Sequence, residues 1–311
     1  MKPGVSVVVP TRNGMSTLPA LVRALGAQDD AEPRELIVVD SGSTDGTREY
    51  AERVATRVID VAPAAFDHGT ARNLGVESAR GPLVVLTVQD ARPVHAEWLS
   101  RLLAPLRTDA SVAGAFARQQ PRADASAATH LQLSGWVASR ETSRTVTLQP
   151  GEFERMRPAD RLDRCAFDNV SAAIRREVWA RCPFAATPIA EDLRWARAVL
   201  LSGHTLAFVA DAVIEHSHDR TARYEFARTW VLHQQLLQLF ALRAVPTLPI
   251  LARSIVATMR VHHRIGRESG VRLGSSAWRR AMALAVAWPA GQFVGGWTQA
   301  TGRSRFRPRG I

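Results

Sequence analysis

The sequence predicts an α/β protein in which a mostly parallel sheet carries helices on both faces and a helical segment follows. Three observations predict it. Short β-branched runs alternate with stretches of helical period along the N-terminal part, polar residues follow those runs directly, and beyond Arg220 only helical patterns remain.

Val5–Val9 is a short β-branched run, as expected of a strand buried on both faces, and Pro10 ends it. The opening MKPGVSVVVPTRNG is too short and too soon interrupted for a signal peptide, so it reads as this first strand. Ser16 is the expected N-cap of a helix with Leu18, Leu21, Val22 and Leu25 on one face. Leu36–Val39 is the second strand, followed by the turn-rich segment Ser41-Gly42-Ser43-Thr44-Asp45-Gly46 and another helix. Val58–Val61 is a third strand, His68–Ala79 a helix, and Leu83–Val88 a fourth strand after Gly81-Pro82. Residues 119–165 are polar and rich in Arg and Ala, and read as a long loop or variable insert. Regular patterning returns at Phe167–Ile174, at a helix opening on Ala190-Glu191-Asp192, and at a late strand, Thr205–Ile214. Helices are expected over 221–243, 247–265 and 276–288, with a frayed end over Gly302–Ile311. The division this implies is a sheet-bearing region, 1–219, and a basic helical extension, 220–311.

Composition narrows the class. With 311 residues, 46% of them hydrophobic and 22% charged, the chain can bury a sizeable core and is neither disordered nor fibrous. Cys165 and Cys182 are too few for a disulfide framework or a four-cysteine zinc site, which fits two free thiols in a reducing, cytoplasmic setting. No apolar stretch is long enough for a membrane-spanning helix; Ala281–Trp297 comes nearest but contains Pro289, three glycines and Gln292. The net charge of +11 is unevenly placed: residues 1–219 sum to −2 and residues 220–311 to +13.

In doubly wound sheets ligands bind beyond the carboxyl ends of the strands, so the polar residues there are informative. Pro10, Thr11, Arg12 and Asn13 follow the first strand, Asp40, Ser41, Ser43 and Asp45 the second, and Gln89 and Asp90 the fourth. A carboxylate such as Asp40 can accept hydrogen bonds from a ribose or base, and Asp90 can hold a divalent metal against phosphates. Asp40 and Asp45 are equally suited to closing a turn and capping a helix. Neither a GxGxxG after the first strand nor a GxxxxGK[ST] occurs, which argues against a dinucleotide-binding fingerprint and a P-loop.

VSVVVPTRNG, LIVVDSGSTDGT, FDHGTARNLG, VVLTVQDARP, FDNVSAAIRREVW, AEDLRWARAVLLSGH and VIEHSHD occur in this order. Together they resemble the family-2 inverting glycosyltransferases with a GT-A fold, a mixed sheet with helices on both faces. Within them they most resemble the bacterial rhamnosyltransferase branch, over roughly residues 5–220. The resemblance implies a donor-nucleotide site at Pro10, Thr11, Asn13, Asp40, Ser41, Arg72 and Gln89, with Asp40 on the base and Arg72 facing the nucleotide. Asp90 matches the last acidic position of a DxD metal motif, and Asp192 matches the base that takes the acceptor proton. His216 or His218 matches a late position that helps bind metal or diphosphate. Glu191, Asp168 and Asn169 lie where donor sugar or acceptor would be read, and a turn role suits Asp168 and Asn169 as well.

The implied cofactor is Mg²⁺ or Mn²⁺, and the implied donor dTDP-L-rhamnose. One carboxylate in Val88-Gln89-Asp90 stands where the wider family often has two or three, which implies either a lower metal affinity or a histidine that completes the site. A helix start would hold Asp192 ionised and weakly basic, so burial or Glu191 must raise it. Trp179 and Trp195 read as core, and His68 as a cap or support for the Arg72 helix. In the extension, Arg279-Arg280, Trp278, Trp288, Trp297 and four arginines in the last nine residues suit the anionic inner face of a membrane, where a lipid-linked acceptor would lie. A solvated basic face packed on the catalytic region is the competing reading. A nucleotide-sugar-binding scaffold without activity is another. Nucleic-acid binding through the tail would leave the N-terminal motifs unexplained, so no nucleic-acid partner is expected.

Overall fold

The structure, a computed structural model, describes residues 3–303. The chain runs β1 (Val5–Thr11), α1 (Leu18–Gly26), β2 (Arg34–Asp40), α2 (Thr47–Val54), β3 (Arg57–Asp60), α3 (His68–Ser78) and β4 (Leu83–Thr87). It continues with β5 (Arg92–Pro93), α4 (Trp98–Thr108), β6 (Val112–Gln120), α5 (Ala127–Ser134), β7 (Arg144–Val146), α6 (Glu152–Arg155) and α7 (Pro158–Arg164). Then come β8 (Ser171–Arg175), α8 (Arg176–Arg181), α9 (Glu191–Leu201), β9 (Thr205–Glu215), α10 (Ala222–Phe240), α11 (Leu248–Glu268) and α12 (Ser276–Ala300).

One sheet is ordered β3-β2-β1-β4-β8-β6-β9-β5, with β7 added on β9. It is mixed: β8 runs against both of its neighbours, β4 and β6. Both faces are covered, which explains the uninterrupted apolar runs. Val5, Val7 and Val9 pack under α1 and α4 with Leu18, Leu21, Trp98 and Leu102. Val8 points the other way, into a core with Ile37, Val76, Phe167 and Trp195.

Three expectations need correction. Thr17, not Ser16, is the N-cap of α1, and its hydroxyl donates to Gly14 O rather than capping the helix. Residues 119–165 are not a structureless insert: they complete β6 and then form α5, β7, α6 and α7. The strand was hidden because its residues are small. A Cβ on Gly114 would lie 3.0 Å from the Trp195 ring and 3.1 Å from that of Phe167, so these aromatics favour Gly at that point, and Ala113, Ala115 and Ala117 flank it. Finally, the last helix does not stop near residue 288 but continues through Pro289 to Ala300. Its glycines let it lie against α10: a Cβ on Gly295 would stand 2.4 Å from Trp230 O.

The extension is joined to the sheet region, since Leu236, Leu239 and Phe240 of α10 belong to the same core as Trp195. Asp219, just after β9, ties them further. It accepts from Ser126 and Thr129 at the start of α5, each at 2.6 Å, and pairs with Arg280 of α12 at 3.2 Å. The tail arginines Arg305, Arg307 and Arg309, and most of the expected frayed end, lie outside the described residues.

Candidate active site

Because β8 opposes both β4 and β6, those two strands run the same way, parallel to β1, β2 and β9. Their carboxyl ends therefore share one rim, next to the segment that enters β8. That rim gathers nearly every site residue expected from the sequence.

On the β1–β2 side, Thr11 donates to Gln89 Oε1 at 2.5 Å, and the Arg12 amide donates to the same oxygen at 2.9 Å. Pro10 is half-buried beside them, and the Ser41 hydroxyl is turned into the backbone at Thr11 O. Asn13 adopts a left-handed φ of 48°, exposed, with its Oδ1 accepting from the Thr44 amide. Asp40 is fully buried. Its carboxylate accepts from the Gly42 and Ser43 amides and from the Ser43 hydroxyl, so it closes its own turn instead of facing outward. Thus the base contact expected of Asp40 is not presented; Asp40 shapes the rim from behind.

A second group surrounds Arg72 of α3. Asp67, not His68, caps that helix by accepting from the Thr70 amide at 2.9 Å. Gly69 and Gly75 let α3 sit deep: a Cβ on either would lie 2.2 Å from Ala185 O or from Val8, respectively. Asn73 fastens the outer side, donating to Phe184 O and accepting from Trp179 Nε1. Trp179 and Trp195 both pack into the core, as read. Arg72 and Glu191, expected on the nucleotide and the sugar, are instead turned inward onto each other at 2.7 Å with 5% and 7% of their side chains exposed. Burial demands that pairing, because either charge alone would be costly. Asn169 donates to Glu191 at 3.3 Å. Asp168 is enclosed too, accepting from Val170 N, Trp136 Nε1 and Gln119 Nε2.

Asp192 follows Glu191 in the first turn of α9, entered through Ala190 in the left-handed region at φ 65°. Burial raises its carboxyl well above the ordinary range, and the charges of Glu191 and Asp168 push it further. Its bond from the Leu193 amide and the charge of Arg72 act the other way but do not prevail. The result is a basic carboxylate at the rim.

The third group is Asp90, His216 and His218. One ligand atom from each lies within 4.8 Å of the others. His216 Nε2 is 3.7 Å and His218 Nε2 3.2 Å from the Asp90 carboxylate. Burial holds both imidazoles below their usual pKa, His216 at about 4, so neutral rings offer lone pairs at neutral pH. One carboxylate and two neutral imidazoles at this spacing fit a divalent ion. Arg122 donates to Asp90 O at 3.0 Å, adding positive charge at the same place. A cavity of about 300 Å³ opens here, lined by Thr17, Asp90, Arg92, Arg122, Asp124 and Glu215. A larger one, about 440 Å³, lies along α6 and α7 and holds none of these groups.

Sequence reading missed Gln119, Arg122 and Trp136. All three fall in the stretch read as an insert. The only signal was Gln119-Gln120 itself, a polar pair at the end of an Ala-rich segment of strand-like length.

Residues 6–179 match the family described as "Glycosyl transferase family 2". The O-antigen chain rhamnosyltransferase WbaN of Salmonella anatum is 31% identical over 239 residues, covering 74% of this chain and 72% of that one. RfbN of Salmonella typhimurium, also an O-antigen chain rhamnosyltransferase, is 28% identical with 74% and 72% covered. Among solved structures, the mannosyltransferase PcManGT of Pyrobaculum calidifontis, in complex with GDP-Man and Mn²⁺, superposes with a TM-score of 0.59. It is 19% identical and covers 98% of this chain and 89% of its own. The fold is the GT-A glycosyltransferase fold with a helical C-terminal region, and the chain belongs to glycosyl transferase family 2.

Proposed function

We propose that this enzyme transfers L-rhamnose, with inversion, from dTDP-L-rhamnose to a hydroxyl of a lipid-linked saccharide during cell-envelope assembly. The observation that carries the reading is the placement of two groups on one rim: Asp90, His216 and His218 at one end, and the half-buried, basic Asp192 at another. The rhamnosyl part leans on WbaN and RfbN, since no side chain here reads a 6-deoxy sugar by itself.

Asn13 and Gln89 present polar groups to the nucleoside, with Pro10, Thr11, Asp40 and Ser41 fixing the rim beneath them. A divalent ion held by Asp90, His216 and His218 would supply positive charge to the departing diphosphate. Two imidazoles and one carboxylate suit Mn²⁺ better than Mg²⁺. Asp192 takes the proton of the acceptor hydroxyl as its oxygen bonds to the anomeric carbon, while the bond to the diphosphate oxygen breaks and its electron pair leaves with the diphosphate. Arg72 holds Glu191 and, through it, the start of α9. Imidazoles beside Asp90 make good the missing carboxylates, which favours activity over the scaffold reading. The division into a catalytic region, 1–219, and an extension, 220–311, belongs to the same proposal.

The membrane part rests on α11. No helix among the described residues is long and apolar enough to cross a bilayer. Trp278 and Trp288, expected at the interface, are half-buried with their indole N–H groups donating to His263 and Glu225. Arg253, Arg260, Arg264 and Arg267, by contrast, form one exposed stripe about 21 Å long on α11, and none makes a salt bridge among the described residues. Exposed Leu248 and Val256 lie on the same helix. Replacing those four arginines by Gln should abolish sedimentation with anionic vesicles; unchanged sedimentation would remove the membrane from the proposal.

The central test is release of nucleoside diphosphate across a panel of nucleotide sugars, each with Mn²⁺, Mg²⁺ or a chelator. Metal-dependent release from dTDP-L-rhamnose alone is the expected result. Release from another donor would overturn the rhamnosyl assignment. A tight donor complex that showed no turnover with any metal or acceptor tried would favour the scaffold.

A further inference from the structure

Gln119, at the end of β6, touches both working groups of the rim. Its Nε2 donates to Asp168 Oδ2 at 2.5 Å, and its Oε1 lies 3.3 Å from His216 Nδ1. The direction of the amide is fixed by what surrounds Asp168. The indole Nε1–H of Trp136 reaches the same Asp168 oxygen at 2.9 Å, and the Val170 amide reaches the other at 3.0 Å. Both are donors only, so Asp168 is presented with donors on both oxygens, and Gln119 completes the set with its NH₂ end. With Asp168 ionised its oxygens only accept, so the carbonyl end of the amide faces His216.

A carbonyl oxygen can only accept. The ring nitrogen opposite it, Nδ1, therefore carries the proton, and Nε2 is left with its lone pair directed to the side of Asp90, 3.7 Å away. Gln119 is 4% exposed and His216 has 14% of its side chain exposed, so water has little opportunity to replace this bond.

We propose that Gln119 is a positioning residue that locks His216 in the Nδ1–H form, making Nε2 a metal ligand, and ties that choice to the carboxylate network of Asp168. The relay runs Trp136 to Asp168 to Gln119 to His216. It needs an outer partner of this kind because a ligating imidazole is oriented through its other nitrogen. It also links the two ends of the reaction, since the charge of Asp168 is one of the causes that raise Asp192. The consequence for metal binding rests on Asp90, His216 and His218 being the metal site. The consequence for the tautomer does not.

Two measurements separate these. In metal-free protein, nitrogen NMR of ¹⁵N-labelled histidine, assigned by loss of the signal in His216→Ala, should show His216 protonated at Nδ1. An Nε2–H ring in the wild-type protein would overturn the proposal whatever the site binds. Mn²⁺ affinity, read by calorimetry, should fall roughly 10- to 100-fold in Gln119→Leu, the range for loss of such an outer partner. Asp168→Asn should give a smaller fall, because an Asn can present either end of its amide and Gln119 loses its fixed direction. A folded Gln119→Leu protein that binds Mn²⁺ as the wild type does would contradict the relay, as would loss of thermal stability with no change in affinity. If the wild type bound no Mn²⁺ while His216 was an Nδ1–H ring, the metal reading would fail and the tautomer lock would stand.

Discussion

In the sheet-bearing region much of the buried charge is gathered on one rim, where Arg72 pairs with Glu191 and Asp168 and Asp192 stand close by, with Glu35 buried at the opposite ends of the strands. The helical extension differs. Its buried polar groups are mostly neutral, with Thr298 accepting from Trp230 and Gln234, and with His233 and His262 enclosed on α10 and α11. Its charge is +13 over residues 220–311, and the arginines among its described residues lie mainly at the surface. The contrast separates charge used for chemistry from charge used for contact. A rim that must move a proton keeps carboxylates where they are expensive, while a packing unit keeps its interior neutral and its cations in water.

The most damaging change should therefore be on the rim. Glu191→Ala leaves the Arg72 guanidinium buried without its partner, and a loss of about 3–5 kcal/mol in unfolding free energy is expected. Glu191→Gln should cost less, since its amide oxygen still accepts. If both cost under about 1 kcal/mol by denaturant titration, the rim is more hydrated than its burial implies.

Two groups, one from each region, should answer pH in opposite senses. Burial holds His233 down to about 4 in the folded state, against 6.5 for a free imidazole. The folded chain thus binds fewer protons there than the unfolded one between those values. Stability is fully present above about 6.5 and is lost as pH falls to about 4, by up to about 3 kcal/mol. A His233→Leu variant should flatten that limb of the melting temperature. Asp192 has the reverse sign. Its raised folded value contributes stability that is present in acid, below the ordinary 3.8, and is lost as pH rises through the folded value. Hence Asp192→Asn should melt higher than the wild type at neutral pH and show no advantage in strong acid.

Smaller effects sharpen the packing side. Gly295→Ala places a methyl group 2.4 Å from Trp230 O, so about 1–3 kcal/mol should be lost as α12 is pushed from α10. Ala190→Gly relieves a left-handed alanine at the entry to α9 and should gain about 1 kcal/mol. Thermal melts of both variants check these signs.

What could be read beforehand followed the same division. Val5–Val9, Leu36–Val39 and Leu83–Val88 announce buried strands because β-branched side chains suit a sheet covered on both faces, and the polar residues after them mark the rim. Strand β6 was illegible because its Ala and Gly residues complement Trp195 and Phe167 across the core, a fact written in no local pattern. Gln119, Arg122 and Trp136 were lost with it. The inward pairing of Arg72 with Glu191 was hidden for another reason: it joins residues 119 positions apart, which only the folded chain brings together. Pro289 and the glycines after it read as helix breakers, yet helix–helix contact turns them into the means of close approach.

The central claim is that one rim combines a metal site with a carboxylate base, and it is tested most directly by comparing wild type with Asp192→Asn for release of nucleoside diphosphate from dTDP-L-rhamnose in Mn²⁺. Donor and Mn²⁺ affinities, measured alongside, should stay within a few-fold of wild type, because Asp192 is placed outside both groups. Turnover should fall by about 10²- to 10⁴-fold, the range for removing a general base. An Asp192→Asn enzyme that released nucleoside diphosphate as fast as the wild type would contradict the account.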